Sequence, residues 1–382
     1  MKLRRLFPLL PLVAALAGCS MMDAINPFSS SAKVKMADLP TFKATAEIRP
    51  LWQMKAGKAD GHVFTPAVVD GTVYTASGDG TLTRFEDGKQ VWRIAVGKPL
   101  SAGVGANNRL VVVGTAKGDV LAFSAADGKP LWSAQVNSEI LAAPAVGDGI
   151  VVVRSGDNRL FGFDSSDGTR KWIYTRNNPP LSLRNAAPPV ISDRYVFAGF
   201  PGGKLVAVAL QNGALAWEGT VALPKGTTEL DRVADITSTP VFDGPLVCAV
   251  AYQGRVACFD LSNGSLAWAR EISSAAGLAM DSRNVYVTDD KGAVHAYERT
   301  RGTSVWKQDK LFLRQLTAPA VQRGLVAVGD VQGQVHFLNR EDGSFAARYS
   351  TDGTPILAAP QVYANGWLVQ TSGGSVQALE PR

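Results

Sequence analysis

From residue 45 onward, the chain is a succession of short apolar or alternating runs that end at glycine-containing turns. Three segments show the order most clearly: 65–92 (TPAVVDGTVYTASGDGTLTRFEDGKQVW), 143–172 (APAVGDGIVVVRSGDNRLFGFDSSDGTRKW) and 239–268 (TPVFDGPLVCAVAYQGRVACFDLSNGSLAW). Each begins with Thr-Pro or Ala-Pro, crosses two glycine turns between strand-like runs, and closes with Asp-Gly or Asn-Gly before a tryptophan. Such runs, punctuated by turn residues and without a helical period, predict β-strands joined as hairpins.

Tryptophan marks the period of this repeat. The intervals from Trp52 to Trp92, Trp132 and Trp172 are 40 residues each, and Trp217, Trp268 and Trp306 follow after 45, 51 and 38. We take Phe345, 39 residues further on, as the eighth mark. A period near 40 with four strands per repeat is typical of a β-propeller. The sequence therefore predicts an all-β protein, an eight-bladed β-propeller of four-stranded antiparallel blades, over residues 45–382.

The two ends of the chain complement each other. The last repeat lacks a fourth strand, because the chain stops soon after GSVQALE. Residues 45–54 (TAEIRPLWQM) contain a strand with no preceding strands of its own. We expect this N-terminal strand to complete the last blade, with Trp52 as its aromatic residue. The alternative is a ring of seven blades with one incomplete repeat left outside.

The N-terminus has the composition of a secretory leader over residues 1–18. Lys2, Arg4 and Arg5 precede an apolar run too short to span a bilayer, and small residues follow it. The sequence LAGCS at 16–20 resembles the bacterial lipobox, which implies that Cys19 becomes the lipid-modified first residue and that Ser20 directs the protein to the outer membrane. Residues 19–44 are then the lipidated cysteine and a flexible tether.

Charge and cysteine content narrow the partners. The whole chain carries +6, or 39 basic minus 33 acidic residues, and removal of the three basic residues of the leader leaves +3. This near-neutral chain has no dense Lys/Arg run, so we expect no nucleic-acid partner.

Cys248 and Cys258 lie in one predicted hairpin. A disulfide is possible if the register places them on the same face, but two separate buried strand residues are the expected arrangement.

The repeat Gly-x-Leu/Val-x-Ala-Phe/Leu, followed by Asp-Gly-x-x-x-Trp, resembles the tryptophan-docking motif of the quinoprotein dehydrogenases. That resemblance implies a periplasmic dehydrogenase that binds pyrroloquinoline quinone (PQQ) and Ca²⁺. Its members also need an acidic base, and they often contain two adjacent cysteines. No two cysteines are adjacent in this sequence. The histidines His62, His295 and His336 are scattered, and most acidic residues lie in Asp-Gly turns. We therefore expect no enzyme, no catalytic residue, no metal and no cofactor, and keep the quinoprotein as the alternative.

The lipobox, the tether and eight such blades together resemble the B-subunit lipoproteins of the bacterial β-barrel assembly machinery. This resemblance implies a non-enzymatic scaffold that is lipid-anchored to the outer membrane and faces the periplasm. Its partner would be the POTRA domains of the central barrel subunit, and its role would be to assist the insertion of outer-membrane proteins. Direct capture of nascent outer-membrane proteins along an exposed blade edge is a second possibility.

Two connections between repeats are longer than the others. Four of them need 12–15 residues from the aromatic mark to the next proline, but the connection after Trp172 has 16 and that after Trp217 has 23. Both occur at the same phase of consecutive repeats, so we expect them side by side on one face of the ring. Loops on a rigid scaffold are common binding sites.

The two long loops contain the candidate contact residues. In NNPPLSLRNAAPP, the residues Leu181, Leu183 and Arg184 match the Leu-x-Leu-Arg run with which the assembly lipoproteins bind the central subunit. The plainer alternative is that the leucines pack under the loop and the arginine is solvated. The second loop, PKGTTELDRVADITSTP, retains Asp235 of an acidic pair that the resemblance assigns to the same contact, and it has Thr237 at the second position. We expect its Asp231 and Arg232 to form an ion pair inside the loop.

Overall fold

Each predicted hairpin unit is one sheet of a ring in the computed structural model, which describes residues 35–184 and 186–382. The first strand, β1 (Ile48–Lys55), stands apart from the strands that follow it in sequence. The strands of the next four sheets are β2 (Ala67–Val69), β3 (Thr72–Ala76), β4 (Thr81–Glu86), β5 (Lys89–Ala95), β6 (Ala102–Ala106), β7 (Leu110–Gly114), β8 (Asp119–Ser124), β9 (Pro130–Gln135), β10 (Ala145–Gly147), β11 (Ile150–Arg154), β12 (Leu160–Asp164), β13 (Arg170–Tyr174), β14 (Val190–Ser192), β15 (Tyr195–Phe200), β16 (Lys204–Ala209) and β17 (Leu215–Thr220). The remaining strands are β18 (Val241–Asp243), β19 (Leu246–Val250), β20 (Arg255–Asp260), β21 (Ser265–Glu271), β22 (Gly277–Met280), β23 (Asn284–Thr288), β24 (Val294–Glu298), β25 (Ser304–Gln308), β26 (Ala320–Gln322), β27 (Leu325–Gly329), β28 (Gln334–Asn339), β29 (Phe345–Ser350), β30 (Gln361–Tyr363), β31 (Gly366–Gln370) and β32 (Ser375–Pro381).

The described chain forms eight antiparallel four-stranded sheets, and seven of them follow the chain order from inner to outer strand. The eighth has the order β1-β32-β31-β30, so the N-terminal strand completes the last blade as predicted. The innermost strands β30 and β2 are in contact, which closes the ring. The eight-bladed propeller is therefore confirmed, and the seven-bladed alternative is wrong. We number the blades 1 to 8 from β2–β5 to β30–β32 with β1.

Tryptophan and glycine together hold each of blades 1 to 6 against the blade that follows it. Six indole N–H groups donate to a carbonyl in the outer turn of the following blade at 2.6–3.1 Å: Trp92, Trp132, Trp172, Trp217, Trp268 and Trp306. The ring of Trp132 lies over the turn glycine of blade 3, and a Cβ at Gly168 would come within 2.5 Å of it. The turn therefore needs glycine for close approach as well as for its positive φ of 74°.

Blade 7 is the exception, and it corrects the choice of the eighth aromatic mark. Ala347 lies four residues after the turn glycine and pairs with Phe337, as Trp306 pairs with Ala296 in blade 6. Ala347, not Phe345, therefore occupies the tryptophan position. The next blade explains the loss, because blade 8 takes its last two strands from opposite ends of the chain and has no outer turn on which an indole could dock.

The two inner cysteines correct a second expectation. Cys248 of β19 and Cys258 of β20 are direct cross-strand partners with Cα atoms 4.1 Å apart, and they form a disulfide. Both are fully buried, as predicted, but they are not separate thiols. The last paired residues are Val250 and Val256, so five residues lie between them. This odd number places the two cysteines on the same face of the sheet.

The compact unit that contains the ring is Ala37–Arg382. It begins eight residues before the predicted domain boundary at residue 45, because residues 37–44 make hydrogen bonds and ring contacts with blade 7 and the connection before it. Cys19 and the leader lie outside the described residues.

Candidate functional site

The two long loops lie on the same face of the ring. The first, 175–189, joins β13 to β14, and the second, 221–240, joins β17 to β18. Each runs from the outermost strand of one blade to the innermost strand of the next. Because strand direction alternates within a blade, all connections of this kind emerge on one face, which we call the loop face. The prediction that the two loops share a face is therefore confirmed by the topology.

A buried carboxylate of the second loop holds the first loop in place. Asp235 is 2% exposed, and its Oδ2 accepts a hydrogen bond of 2.7 Å from the backbone N–H of Leu183. Its Oδ1 accepts from the backbone N–H of Gly202 at 3.1 Å. Asp235 was expected as a contact residue, but the structure places it beneath the loop, where it orders the backbone between two exposed side chains.

A second polar chain supports the loop from blade 3. Arg154 is buried and its Nη2 donates to Asn158 Oδ1 at 2.9 Å, while Asn158 Nδ2 reaches Ser182 Oγ at 3.5 Å. The guanidinium of Arg154 also lies 5.3 Å from the ring centre of Phe200. Burial lowers the pKa of Arg154 to about 10, and the charge of Asp235 partly offsets that effect. Arg154 remains a cation at neutral pH and balances the carboxylate under the loop.

Leu181 and Arg184 are the exposed side chains of the first loop. Leu181 is 40% exposed, and Leu183 is half-buried. Arg184 is 64% exposed and forms a two-pronged ion pair with Glu139, Nε to Oε1 at 2.9 Å and Nη2 to Oε2 at 2.6 Å. The hydrogen bond from Arg184 lowers the pKa of Glu139 below its ordinary value. The plainer alternative holds in part, since Leu183 is partly covered and Arg184 faces solvent, but Leu181 is exposed and does not pack under the loop.

The second loop closes on itself through short contacts. Thr228 N–H donates to Asp231 Oδ2 and Asp231 N–H donates to Thr228 Oγ1, both at 3.1 Å. Arg232 Nε donates to the carbonyl of Gly226, and its ion pair is with Glu229 at 3.4 Å. The expected pairing of Arg232 with Asp231 is therefore wrong, because Asp231 is used to cap the turn instead.

Sequence reasoning missed two leucines that this turn presents. Leu230 is 71% exposed at the turn, and Leu223 is 62% exposed near the start of the loop. A leucine between Glu229 and Asp231 was the available signal, since an apolar residue inside a polar turn has no core to enter. Thr237, at the position of the second acidic residue, is half-buried and donates its hydroxyl to the carbonyl of Ala275 at 3.4 Å.

The arrangement has the chemistry of a binding surface. Within residues 35–184 and 186–382, no three His, Cys, Asp or Glu side chains are grouped so that they could hold a metal ion. The loop face presents exposed leucines and an exposed arginine on a backbone that buried hydrogen bonds hold in place. Apolar side chains together with an arginine are the usual anchor residues of a protein interface. Fold and loops define an eight-bladed, tryptophan-docked β-propeller with an ordered, partly apolar contact surface on one face.

Comparison with known proteins gives the family. A family model described as outer membrane protein assembly factor BamB matches residues 46–101 and 84–308. The outer membrane protein assembly factor BamB of Pseudomonas aeruginosa is 45% identical over 379 residues, which cover 98% of this chain and 98% of that protein. The crystal structure of BamB from Moraxella catarrhalis has a TM-score of 0.82 at 27% identity, and the match covers 87% of this chain and all of that one (100%). The chain belongs to the BamB family.

The quinoprotein resemblance extends to the fold alone. The quinohemoprotein alcohol dehydrogenase of Comamonas testosteroni superimposes with a TM-score of 0.68, over 87% of this chain and 76% of that one, at 13% identity. So distant a likeness reflects a shared propeller architecture, and architecture does not specify activity.

Proposed function

We propose that this outer membrane protein assembly factor is a lipid-anchored scaffold that faces the periplasm and binds the POTRA domains of the central barrel subunit through its loop face. The contact patch consists of Leu181, Leu183 and Arg184, with Asp235 as the residue that positions them. One observation carries the proposal: the Leu-x-Leu-Arg backbone is fixed by a buried carboxylate 52 residues away in sequence. A loop ordered in this way loses little conformational entropy on binding.

The exposed residues of the patch suit a protein partner. Leu181 supplies apolar area, and Arg184 supplies a planar donor whose carboxylate partner Glu139 is itself about one-third exposed. A partner carboxylate or carbonyl could share the guanidinium without leaving Glu139 unpaired. Leu223 and Leu230 extend the apolar part of the loop face to the second loop.

The anchor is the lipid on Cys19, and the leader that precedes it ends at residue 18. Support for it comes from the LAGCS sequence and from membership of an outer-membrane family. Among the residues that the structure describes, none belongs to a helix long and apolar enough to cross a membrane. Mass spectrometry of the protein isolated from cells tests the proposal, since loss of residues 1–18 and a diacylglyceryl group on Cys19 are expected.

The scaffold acts without catalysis. Its family is one of assembly factors, and the loop face carries exposed leucines and paired charges. Titration with PQQ and Ca²⁺, followed by dye reduction, separates the two possibilities. Saturable quinone binding with dye reduction would establish the dehydrogenase instead.

Binding of the mature chain to the isolated POTRA domains tests the patch directly. Arg184→Glu and Leu183→Glu should each weaken binding at least about tenfold, since removing an interface anchor costs upwards of 1–2 kcal/mol. Arg283→Glu is the matched control, because Arg283 is 62% exposed and also pairs with a glutamate, Glu341, but lies in an inner turn on the opposite face. Wild-type affinity in both patch variants, with circular dichroism and melting unchanged, would show that the patch is wrong.

A further inference from the structure

Residues 37–46, which we call the strap, cross the outer flank of blade 7 before the chain enters β1. At its first residue, Ala37 N–H donates to the carbonyl of Phe312 at 3.0 Å. At its other end, Thr45 and Ala46 N–H both donate to the carbonyl of Ala346, at 2.9 and 3.1 Å. The strap is thus bound to the ring at both ends by backbone hydrogen bonds.

The two ends of the strap lie on opposite faces. Phe312 belongs to the connection between β25 and β26, which joins an outermost strand to the next innermost strand and therefore lies on the loop face. Ala346 follows the turn between β28 and β29, which lies on the opposite face. A five-residue strand such as β27 is about 17 Å long, so the two ends are separated by at least roughly that height.

The middle of the strap is held by an aromatic contact. Phe42 stacks on Phe345 with ring centres 5.2 Å apart, and it packs into the core that blades 6 and 7 share. Arg348 also contacts Phe42, with its guanidinium carbon 5.1 Å from the centre of the Phe42 ring. The strap therefore lies beside the one tryptophan position that the repeats leave empty.

Two arginines of the ring clamp the carbonyl groups of the strap. Arg314 is 1% exposed, and it donates to Ala37 O at 3.0 Å, to Asp330 at 2.7 Å and to Gln332 at 2.7 Å. Arg348 donates to Pro40 O at 2.8 Å and through Nε to His336 at 3.3 Å. His336 is in turn paired with Asp330 at 3.0 Å. Hydrogen bonds from charged donors are stronger than neutral ones, so the clamp resists release of the strap.

Blade 6 contains the same acid–histidine pair in a different setting. Asp289 and His295 are 2.9 Å apart at the equivalent positions of the turn and strand, but both are partly exposed. In blade 7 the equivalent pair is buried and joined to the two arginines. The pair thus occurs in both of these neighbouring blades, whereas the two arginines that bind the strap join it in blade 7 alone.

We propose that the strap fixes the start of the membrane tether at the loop face. The face that carries the two long loops is then the one turned towards the membrane. This inference rests on the proposed lipid anchor at Cys19. That cysteine lies 18 residues before Ala37, a distance that the chain spans with at most about 60 Å. Release of the strap would move the start of the tether to the opposite face, a shift of roughly 17 Å or more.

Hydrogen exchange of the full mature chain tests the strap by itself. The amides of Ala37, Thr45 and Ala46 should be protected in the wild type and should exchange at least about tenfold faster in Phe42→Ala. Leu39→Ala is the control within the same segment, because Leu39 is 38% exposed and should leave protection unchanged. Exchange in the wild type at the rate of an unstructured peptide would overturn the strap.

Energy transfer on vesicles tests the orientation. The mature chain is coupled through Cys19 to a maleimide lipid, so that the result does not depend on acylation in the cell. An azide-bearing residue replaces either Lys225 on the loop face or Asn212 in the outer turn after β16, and a donor dye is attached to it. Transfer to a headgroup-labelled lipid should be greater from position 225, and Phe42→Ala should remove or reverse the difference.

The outcomes separate this inference from the proposed function. Equal transfer from both positions in the wild type, or a difference that Phe42→Ala leaves intact, would overturn the role of the strap. An unmodified Cys19 in cellular protein would overturn the natural anchor, while the synthetic lipid would still report where the tether starts. Loss of POTRA binding by Arg184→Glu has no bearing on the exchange of residues 37–46.

Discussion

A single buried carboxylate shows how the ring controls its exposed surface. Asp235 receives backbone N–H groups from two segments, at Leu183 and at Gly202, and lies close to the buried cation of Arg154. A carboxylate out of water is tolerated when it is hydrogen-bonded and balanced in this way. The side chain therefore acts through the backbone of the first loop, and its effect on binding should be indirect.

Asp235→Asn tests this positioning role. The amide can accept one of the two hydrogen bonds, but its NH₂ group then faces the other N–H donor, which costs about 1–3 kcal/mol locally. We expect faster hydrogen exchange at the Leu183 amide and about tenfold weaker POTRA binding, together with a lower melting temperature, because the buried Arg154 cation loses its balancing charge. Asp127→Asn, in an exposed turn of the opposite face, is the control. Normal binding despite faster exchange would mean that order in the loop is not required.

Sequence alone suggested the proposed contact loop but not the network beneath it. Leu181, Leu183 and Arg184 could be proposed because a short motif and a long connection coincide. The burial of Asp235, and the pairing of Arg184 with Glu139, depend on residues 45 or more positions apart that only the ring brings together. Leu230 was missed although its position between two charged residues of a polar turn was an available signal.

His336 predicts a loss of stability in mild acid. Its Nδ1 accepts a hydrogen bond from Arg348, so that nitrogen carries no proton, and burial lowers the pKa of His336. A histidine in the unfolded chain titrates near pH 6.5. Below that pH the unfolded state therefore binds a proton at this side chain, whereas the folded state keeps it neutral. Stability should be complete above about pH 6.5 and should fall as the pH drops towards the folded-state pKa.

Urea unfolding between pH 7.5 and pH 5 measures this effect. The free energy of unfolding of the wild type should decrease across the range, and His336→Gln should flatten the decrease while retaining a neutral side chain that can form hydrogen bonds. Carboxylates contribute mainly near pH 4 and below, outside this window. The same slope in both proteins would assign the acid sensitivity to another group.

At the scale of the blade, turn glycine and tryptophan form a unit that the sequence alone could identify. The fixed spacing of Asp-Gly and Trp predicted the strands, the turns and the ring, because each depends on contacts within one repeat or with its neighbour. The error at Phe345 has a physical origin. The tryptophan position is defined by the turn that it docks on, and blade 8 has no such turn because its outer strands come from the two ends of the chain.

Glycine substitution measures the docking contact. Gly168→Ala adds a Cβ that would lie 2.5 Å from the Trp132 ring at a φ of 74°. Gly149→Ala is the matched control, because Gly149 has nearly the same φ, 79°, and no atom within 4 Å of the added Cβ. Both variants should lose about 1 kcal/mol from backbone strain, and Gly168→Ala should lose a further 1–3 kcal/mol from overpacking.

Thermal and urea unfolding of the two variants, compared with the wild type, gives the difference directly. Fluorescence of the docked indole should also change in Gly168→Ala alone. Equal losses in the two variants would mean that the Trp132 contact relaxes without cost and that the glycine is required only for its backbone conformation.

The disulfide marks the limit of prediction at this scale. The sequence placed Cys248 and Cys258 in one hairpin, but whether they face each other depends on the register, and a shift of one residue reverses it. The register in turn depends on how many residues the turn leaves unpaired, which the sequence around Gly254 does not specify. The structure resolves it through the direct pairing of the two residues.

At the scale of the whole ring, one seam joins the two ends of the chain. β1 pairs with β32 over seven residue pairs, from Ile48 with Pro381 to Lys55 with Ser375. Every other blade is held by connections along the chain, but this one is closed only by noncovalent contacts between distant residues. The seam is therefore where the ring can open without first breaking a hairpin, and we expect it to open early in unfolding.

A disulfide across this seam tests that expectation. Arg49 and Glu380 are direct partners in the pairing of β1 with β32, and their side chains meet in an ion pair of 3.2 Å at the surface. Replacing both by cysteine removes an exposed ion pair that contributes about 0–1 kcal/mol and offers a bond across a loop of more than 300 residues. In the chain-entropy account such a loop gains more than 4 kcal/mol, although engineered disulfides often give less.

The oxidised form should melt at a higher temperature than the same variant with this exposed bond reduced, and each single substitution should melt like the wild type. Identical melting of the two forms, with the bond confirmed by mass spectrometry, would mean that unfolding begins within a blade and that the joined ends are as secure as any other part of the ring.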